Sequence, residues 1–257
     1  MADVNRGNRP LSPFMIGPYY RPQMTSMSSI MVRITAIISL GVAVLIVAWL
    51  VAAATSADAF AMVDGLLRVV LGDVIFLFAT WAIWYHLLGR LRHVIWDLGY
   101  GMDVKTAEAM GLVMFIGATL LAILTFVVTP KERAMRFMTD RKRAQGLGAS
   151  GHGTHHHWQM FVTSVLLCAL LPIFIFTFAI GFGGTYEEVL AYYSRPFPAI
   201  VTALTLVVGL IHLLGEATEA IEDYIGGRAR HLTLIAVNGL CYTLIAAGLF
   251  ALVKLAL

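Results

Sequence analysis

His86-Leu87-Leu88-Gly89 closes one long apolar run, and His212-Leu213-Leu214-Gly215 closes another. In each case an aspartate, Asp97 or Asp223, follows eleven residues after the histidine, with an isoleucine two places before it. Four greasy letters recur easily in an apolar chain, but a matched aspartate at the same offset points to a structural repeat. Working outward, uncharged runs cover 34–57, 109–129, 158–186, 196–215 and 232–253. Each reaches the roughly 20 residues a helix needs to cross about 30 Å of hydrocarbon. A sixth run, 66–89, carries Asp73 near one end and His86 near the other. Six membrane-spanning helices are expected.

Composition agrees. Hydrophobic residues make up 59% of the 257 residues and charged ones 13%, with a mean hydropathy of +0.81. A soluble domain carries about 25% charged residues. The net charge of +3 is modest, and the basic residues sit beside spans, so a nucleic-acid role is not expected. Arg6 and Arg9 are followed by Pro10 and Pro13 rather than an apolar core, so no signal peptide is expected. Cys168 and Cys241 lie inside spans without partners at metal-ligand spacing and read as packing residues.

Charge bias sets the orientation, because short basic loops stay in the cytoplasm. Arg6, Arg9, Arg21 and Arg33 place the N-terminus inside; the uncharged-by-cation loop 58–65 lies outside, and Arg90, Arg92 and Lys105 return inside. After the third span the chain should be outside, yet it meets Lys131, Arg133, Arg136, Arg141, Lys142 and Arg143. Two units, 1–134 and 135–257, resolve the conflict. Each then has three spans, starts inside and ends outside, with the acidic Glu187–Glu188 loop outside and Arg228 and Arg230 inside. Two parallel halves of this kind need one more crossing between them, and a polar linker does not cross lipid unsupported. Met135 therefore reads as the start of a second subunit.

Ionisable residues within spans face a bundle interior or a cofactor. His86 and His212 come from equivalent spans at equal depth near the cytoplasmic boundary, and can face each other. Two opposed imidazoles suit a six-coordinate haem b; the plainer reading is a pair bonded to backbone or to each other. His93 lies two turns beyond His86 on the same face, placed to meet haem propionates or a quinone, or to be a solvated boundary residue. The run His155-His156-His157 beside Trp158 reads as an interfacial belt. Ser29 and Arg33 are four apart on one face of the first span and are suited to hold a quinone carbonyl and the charge it gains. Arg33 as a headgroup-seeking cation is the alternative. Asp97, Asp223 and Tyr224 are expected at the same level, to relay protons to a reduced quinone or to cap the spans.

With these residues in place the sequence resembles a known family. Arg9-Pro10-Leu11-Ser12-Pro13, Arg21-Pro22-Gln23, Ser29-Ile30, Arg33-Ile34-Thr35 and the His86…Arg92-His93…Asp97 motif resemble the cytochrome b556 subunit of succinate dehydrogenase. From Met135 on, the run Arg141–Gly148, His156-His157-Trp158, Tyr193–Pro198 and His212…Glu222-Asp223-Tyr224 resemble the small hydrophobic anchor subunit of that complex. The resemblance implies an all-α membrane protein, with two three-span halves packed as a bundle around a haem b. It implies haem ligation by the positions His86 and His212, and ubiquinone contacts at Ser29, Arg33 and Tyr224. It also implies flavoprotein and iron–sulfur subunits as partners on the cytoplasmic face of a bacterial inner membrane. The anchor alone would not oxidise succinate.

Some positions depart from that family. Val32 stands where a histidine is usual, Ala36 stands for a glycine, and no arginine occurs within 158–165. Arg90 and Glu216 replace the glycine four residues after each haem histidine, with glycine one place early in both halves. Large side chains there would crowd a macrocycle; opposite charges at matched positions would pair across the halves. A fumarate reductase anchor shares the same architecture. A stand-alone two-haem cytochrome needs two more histidines toward the outer side, and no span holds them. A transporter of parallel repeats would gather polar residues at the midplane rather than at one edge.

Overall fold

A computed structural model describes residues 22–68, 70–128 and 152–257, of which 70–73 and 152–156 are described by backbone alone. The described residues form eight helices and no strand: α1 (Met24–Thr55), α2 (Ala57–Leu67), α3 (Val70–Asp97), α4 (Val104–Val128), α5 (His152–Phe182), α6 (Tyr186–Tyr193), α7 (Pro196–Tyr224) and α8 (Gly227–Ala256). Six of them, α1, α3, α4, α5, α7 and α8, are long and apolar enough to cross a membrane. The chain is an all-helical membrane protein with six spanning helices. In lipid only a helix satisfies every backbone donor and acceptor within one segment, so uncharged runs of this length have little choice.

α1, α3, α5 and α7 form a four-cornered bundle in which sequential corners pack, α1 on α3, α3 on α5, α5 on α7 and α7 on α1. α3 and α7, which carry the two histidines, stand on opposite corners. α4 packs outside on α3 and α1, and α8 outside on α7 and α1. Small residues allow the close approaches. A Cβ at Gly89 would overlap the Val32 side chain, so glycine at this place lets α3 lie against α1. That explains why glycine sits one position early in the first half.

Cross-helix contacts fix the helix directions. Arg92 near the end of α3 reaches Ser28 near the start of α1; Gly111 early in α4 lies against Met24 and Ser28; Arg90 of α3 reaches Ser164 early in α5. The starts of α1, α4 and α5 therefore share one end of the bundle with the ends of α3 and α7, here termed the near end. α4 runs away from it and finishes at Val128 at the far end, while α5 begins again at the near end. Residues 129–151, with Met135 and the expected 134/135 boundary, lie outside the described residues, as do Arg6, Arg9 and Arg21.

Two stretches expected as loops are helices. Residues 58–65 belong to α2, whose N-cap Ser56 accepts a bond from the Ala59 N–H at 3.1 Å, with Asp58 in the first turn. Glu187 and Glu188 lie in the first turn of α6, where Glu188 and Thr185 form a reciprocal capping box. Both short helices help to close the far end. Trp49 is fully buried among Phe60, Phe178 and Phe182, with ring centroids 5.5–5.6 Å apart. Its indole N–H donates to Asp64 at 3.1 Å, Asp64 pairs with Arg68 at 2.5 Å, and Arg68 donates to the carbonyls of Phe182 and Gly184. A carboxylate that would be costly alone is thereby satisfied on both oxygens.

The helices also run past the uncharged stretches. α1 begins ten residues before the apolar run at 34, and α3 and α7 continue through the charged residues to Asp97 and Tyr224. The bundle end provides partners for Arg33, Arg90, Arg92 and Glu216, so their charges do not end the helices.

Candidate functional site

His86 and His212 meet across the diagonal of the bundle, with ring centroids 5.8 Å apart and planes at 63°. Both are buried, at 6% and 1% exposure. The Nδ1–H of His86 donates to the Val32 carbonyl at 3.2 Å. His212 Nδ1 lies 2.9 Å from Thr163 Oγ1. The Thr163 hydroxyl also lies 2.8 Å from the Gln159 carbonyl and 3.1 Å from that of Met160, and where it gives its one proton to either of them His212 Nδ1–H is the donor. In that arrangement both rings carry the proton on Nδ1 and a lone pair on Nε2. Neither Nε2 has a hydrogen-bond partner, although both are buried.

Two such nitrogens are the donors that would hold a haem b iron. A ligating histidine normally donates its other ring N–H to backbone or a side chain, which fixes the tautomer and aims the free nitrogen. Beside the pair opens a narrow cleft lined among others by Ser39, Ala43, Leu167, Phe174, Thr205 and Gly209. It is almost wholly apolar, as a porphyrin face requires, and Ser39 Oγ and Thr205 Oγ1 are buried there without partners.

One turn beyond the histidines the two halves are joined by charge. Arg90 pairs with Glu216 at 2.7 Å and donates through Nε to Ser164 at 3.1 Å. The side chains are 15% and 6% exposed. Glu216 Oε1 also lies 3.7 Å from His212 Nε2, making His86, His212 and Glu216 a compact group of metal-ligating types. Of the two expectations for these positions, the cross-half pair is what forms.

A second polar group lies at the near end. Arg33 of α1 pairs with Asp223 at 2.8 Å and donates to the Tyr224 hydroxyl at 3.2 Å, with its guanidinium 5.7 Å from the Tyr224 ring centre. Residues 191 positions apart thus form one surface cluster of cation, carboxylate and phenol. Ser29 lies one turn from Arg33 on α1 and is half-buried. Asp97 does not join this group; it faces His157 of α5 at 4.0 Å. His93 is half-buried, with Nδ1 on the Gly89 carbonyl at 2.8 Å and its ring edge against Trp96.

Arg92 is the residue that sequence reasoning passed over. It entered there only as an orienting charge and as a letter of a motif, yet it is 2% exposed. Its NH1 donates to Ser28 Oγ at 2.6 Å, its NH2 to Ser29 Oγ at 3.1 Å, and its guanidinium lies 4.5 Å over the Trp96 ring. The available signal was spacing: Arg92 and Trp96 are four apart on the helix that carries His86.

Comparison with known proteins places the chain in a family. The family described as succinate dehydrogenase/fumarate reductase transmembrane subunit matches twice, over residues 5–126 and 135–249. The chain is 47% identical over 128 residues to the succinate dehydrogenase cytochrome b556 subunit of Paracoccus denitrificans, covering 50% of this chain and 97% of that one. It is 41% identical over 123 residues to the succinate dehydrogenase hydrophobic membrane anchor subunit of the same organism, covering 48% and 95%. The cytochrome b556 subunit of Rickettsia conorii is 29% identical over 120 residues, covering 46% and 91%. No solved structure matches the chain.

Proposed function

This chain belongs to the succinate dehydrogenase/fumarate reductase transmembrane subunit family, and from that premise we propose that it is the membrane anchor of a succinate:ubiquinone oxidoreductase. The observation that carries the proposal is the pair of buried histidines, one from each half, whose Nδ1–H groups are tied down and whose Nε2 atoms are free. His86 and His212 hold a haem b through those atoms. Bound there, the haem supplies a one-electron store close to the near end.

The chain's own residues do the rest. Thr163 and the Val32 carbonyl keep both imidazoles in the ligating tautomer. Ser29 and Arg33 bind a quinone oxygen at the near end, where the positive guanidinium favours the charge that the oxygen gains on reduction. Asp223 restrains Arg33, and the Tyr224 hydroxyl, held by Arg33, lies in reach to pass a proton from the aqueous side. The near end is cytoplasmic, and flavoprotein and iron–sulfur subunits dock there to deliver electrons from succinate. The two units meet at 134/135. The break between the two family matches supports that junction, as does the start of α5 at the opposite end from the finish of α4.

The test uses the assembled complex carrying Ser29→Ala, Arg33→Ala or Tyr224→Phe. Loss of a hydrogen bond to a charged partner costs about 1.5–3 kcal/mol, so Arg33→Ala should lower succinate-driven ubiquinone reduction about tenfold to a hundredfold. The two uncharged losses should be smaller, about tenfold or less. Succinate-driven reduction of a water-soluble dye, which takes electrons before the quinone, should be unchanged. Full quinone activity in all three variants would remove the proposed site.

A further inference from the structure

Arg92 is a buried cation. Two of its nitrogens bond to serine hydroxyls, its face covers Trp96, and its Nε is buried with no partner. Among the described residues no carboxylate pairs with it. Arginine is almost never fully buried unless paired, because the desolvated charge is costly. A charge kept in that state has its largest effect when a negative charge appears nearby.

The two serines it holds are not equivalent. Ser28 accepts from Arg92 and spends its own proton on the Thr25 carbonyl at 3.0 Å, so it is closed. Ser29 also accepts from Arg92, but its own O–H meets no acceptor among the described residues. With a lone pair fixed by the guanidinium, the Ser29 hydroxyl is left as a donor directed away from Arg92. Ser29 lies one turn from Arg33 on α1, beside the cluster with Asp223 and Tyr224.

We propose that Arg92 is the positioning residue of the quinone site, presenting Ser29 as a hydrogen-bond donor and supplying buried positive charge to the reduced quinone oxygen. This rests on the quinone reading given above. Reduction takes two electrons from the iron–sulfur partner and two protons from the aqueous side, giving the quinol; Arg92 contributes neither. Its interaction with a neutral carbonyl is weak and with an oxygen carrying the first electron strong, so it favours the reduced form over the starting quinone.

The experiment is steady-state kinetics of the assembled complex with a short-chain ubiquinone, together with electron paramagnetic resonance of the one-electron-reduced quinone. Arg92→Gln keeps hydrogen bonding and removes charge. It is expected to lower kcat/KM for the quinone about tenfold to a hundredfold and to abolish the radical signal. Arg92→Lys should recover part of both. Because Arg92 acts through Ser29, adding Ser29→Ala to Arg92→Gln should cost less than the sum of the two.

Unchanged quinone kinetics and radical signal in Arg92→Gln would overturn the proposal. So would loss of haem bands with quinone affinity intact, which would assign the buried charge to a haem carboxylate instead. If Arg92→Gln does not assemble, Ser28→Ala, which frees one arm of the guanidinium, decides: weaker quinone binding supports the proposal and unchanged binding overturns it. Full activity in Ser29→Ala, Arg33→Ala and Tyr224→Phe together would mean that the quinone reading itself has failed; an effect at Ser29 without one at Arg92 removes only this inference.

Discussion

Replacing either His86 or His212 with alanine is expected to abolish the sharp b-type absorption bands of the dithionite-reduced protein. A haem b held as proposed would take one nitrogen from each of the two rings, which stand on opposite corners of the bundle. The fold should survive the change, because each ring makes only one hydrogen bond, to Val32 or to Thr163. Helix content by circular dichroism is the control. Thr163→Val should give a milder result, since it removes the partner that fixes the His212 tautomer but leaves the ligand; a tenfold to hundredfold weaker haem affinity is the expected scale. Retention of unchanged bands in both alanine variants would place the haem elsewhere.

The second large effect is at the ion pair between the halves. Glu216→Ala leaves Arg90 at 15% exposure without its carboxylate, and breaking a buried pair costs about 3–5 kcal/mol. The thermal midpoint of the detergent-solubilised protein should fall clearly. Arg90→Gly combined with Glu216→Gly should recover part of that loss, because no charge is stranded. The double variant should also raise the haem-to-protein ratio, because it clears the edge of the slot that Glu216 Oε1 now borders, 3.7 Å from His212 Nε2. A Glu216→Ala midpoint equal to that of the parent would show that the pair carries no stability.

Much of this was legible in the sequence, and the rest was hidden for a physical reason. Five spans follow from uncharged runs and a sixth from an apolar run interrupted near its ends, because lipid admits few alternatives. The His86–His212 meeting follows from matched positions in a repeat, and the Arg90–Glu216 pair from opposite charges at the next matched positions. The helices run past the uncharged spans, since a run is cut at its first charge while a bundle end shelters charges such as Arg33 and Arg92 with partners from other helices. The helix over 58–65 was read as a loop because a short amphipathic segment between spans lacks the length of a span; only its Ser56 cap and Asp58 signalled otherwise. Asp97 looked like the counterpart of Asp223, and by repeat it is. But α3 ends beside α5 and α7 ends beside α1, so one aspartate faces His157 and the other Arg33. Pseudo-equivalent positions in two halves need not have equivalent neighbours. Arg92 shows the same limit, for sequence cannot tell an orienting surface cation from one buried on two serines.

The central claim is that this chain anchors a succinate-oxidising complex to the membrane and passes its electrons to quinone. The most direct measurement is made in cells where this chain, or its two units expressed together, is the sole anchor available to the flavoprotein and iron–sulfur subunits. Membranes and soluble fraction are separated, and succinate-driven ubiquinone reduction is assayed in each. The account predicts that both soluble subunits sediment with the membrane and that quinone reduction is found there. Succinate oxidation confined to the soluble fraction, with membranes that hold this chain but reduce no quinone, would contradict it.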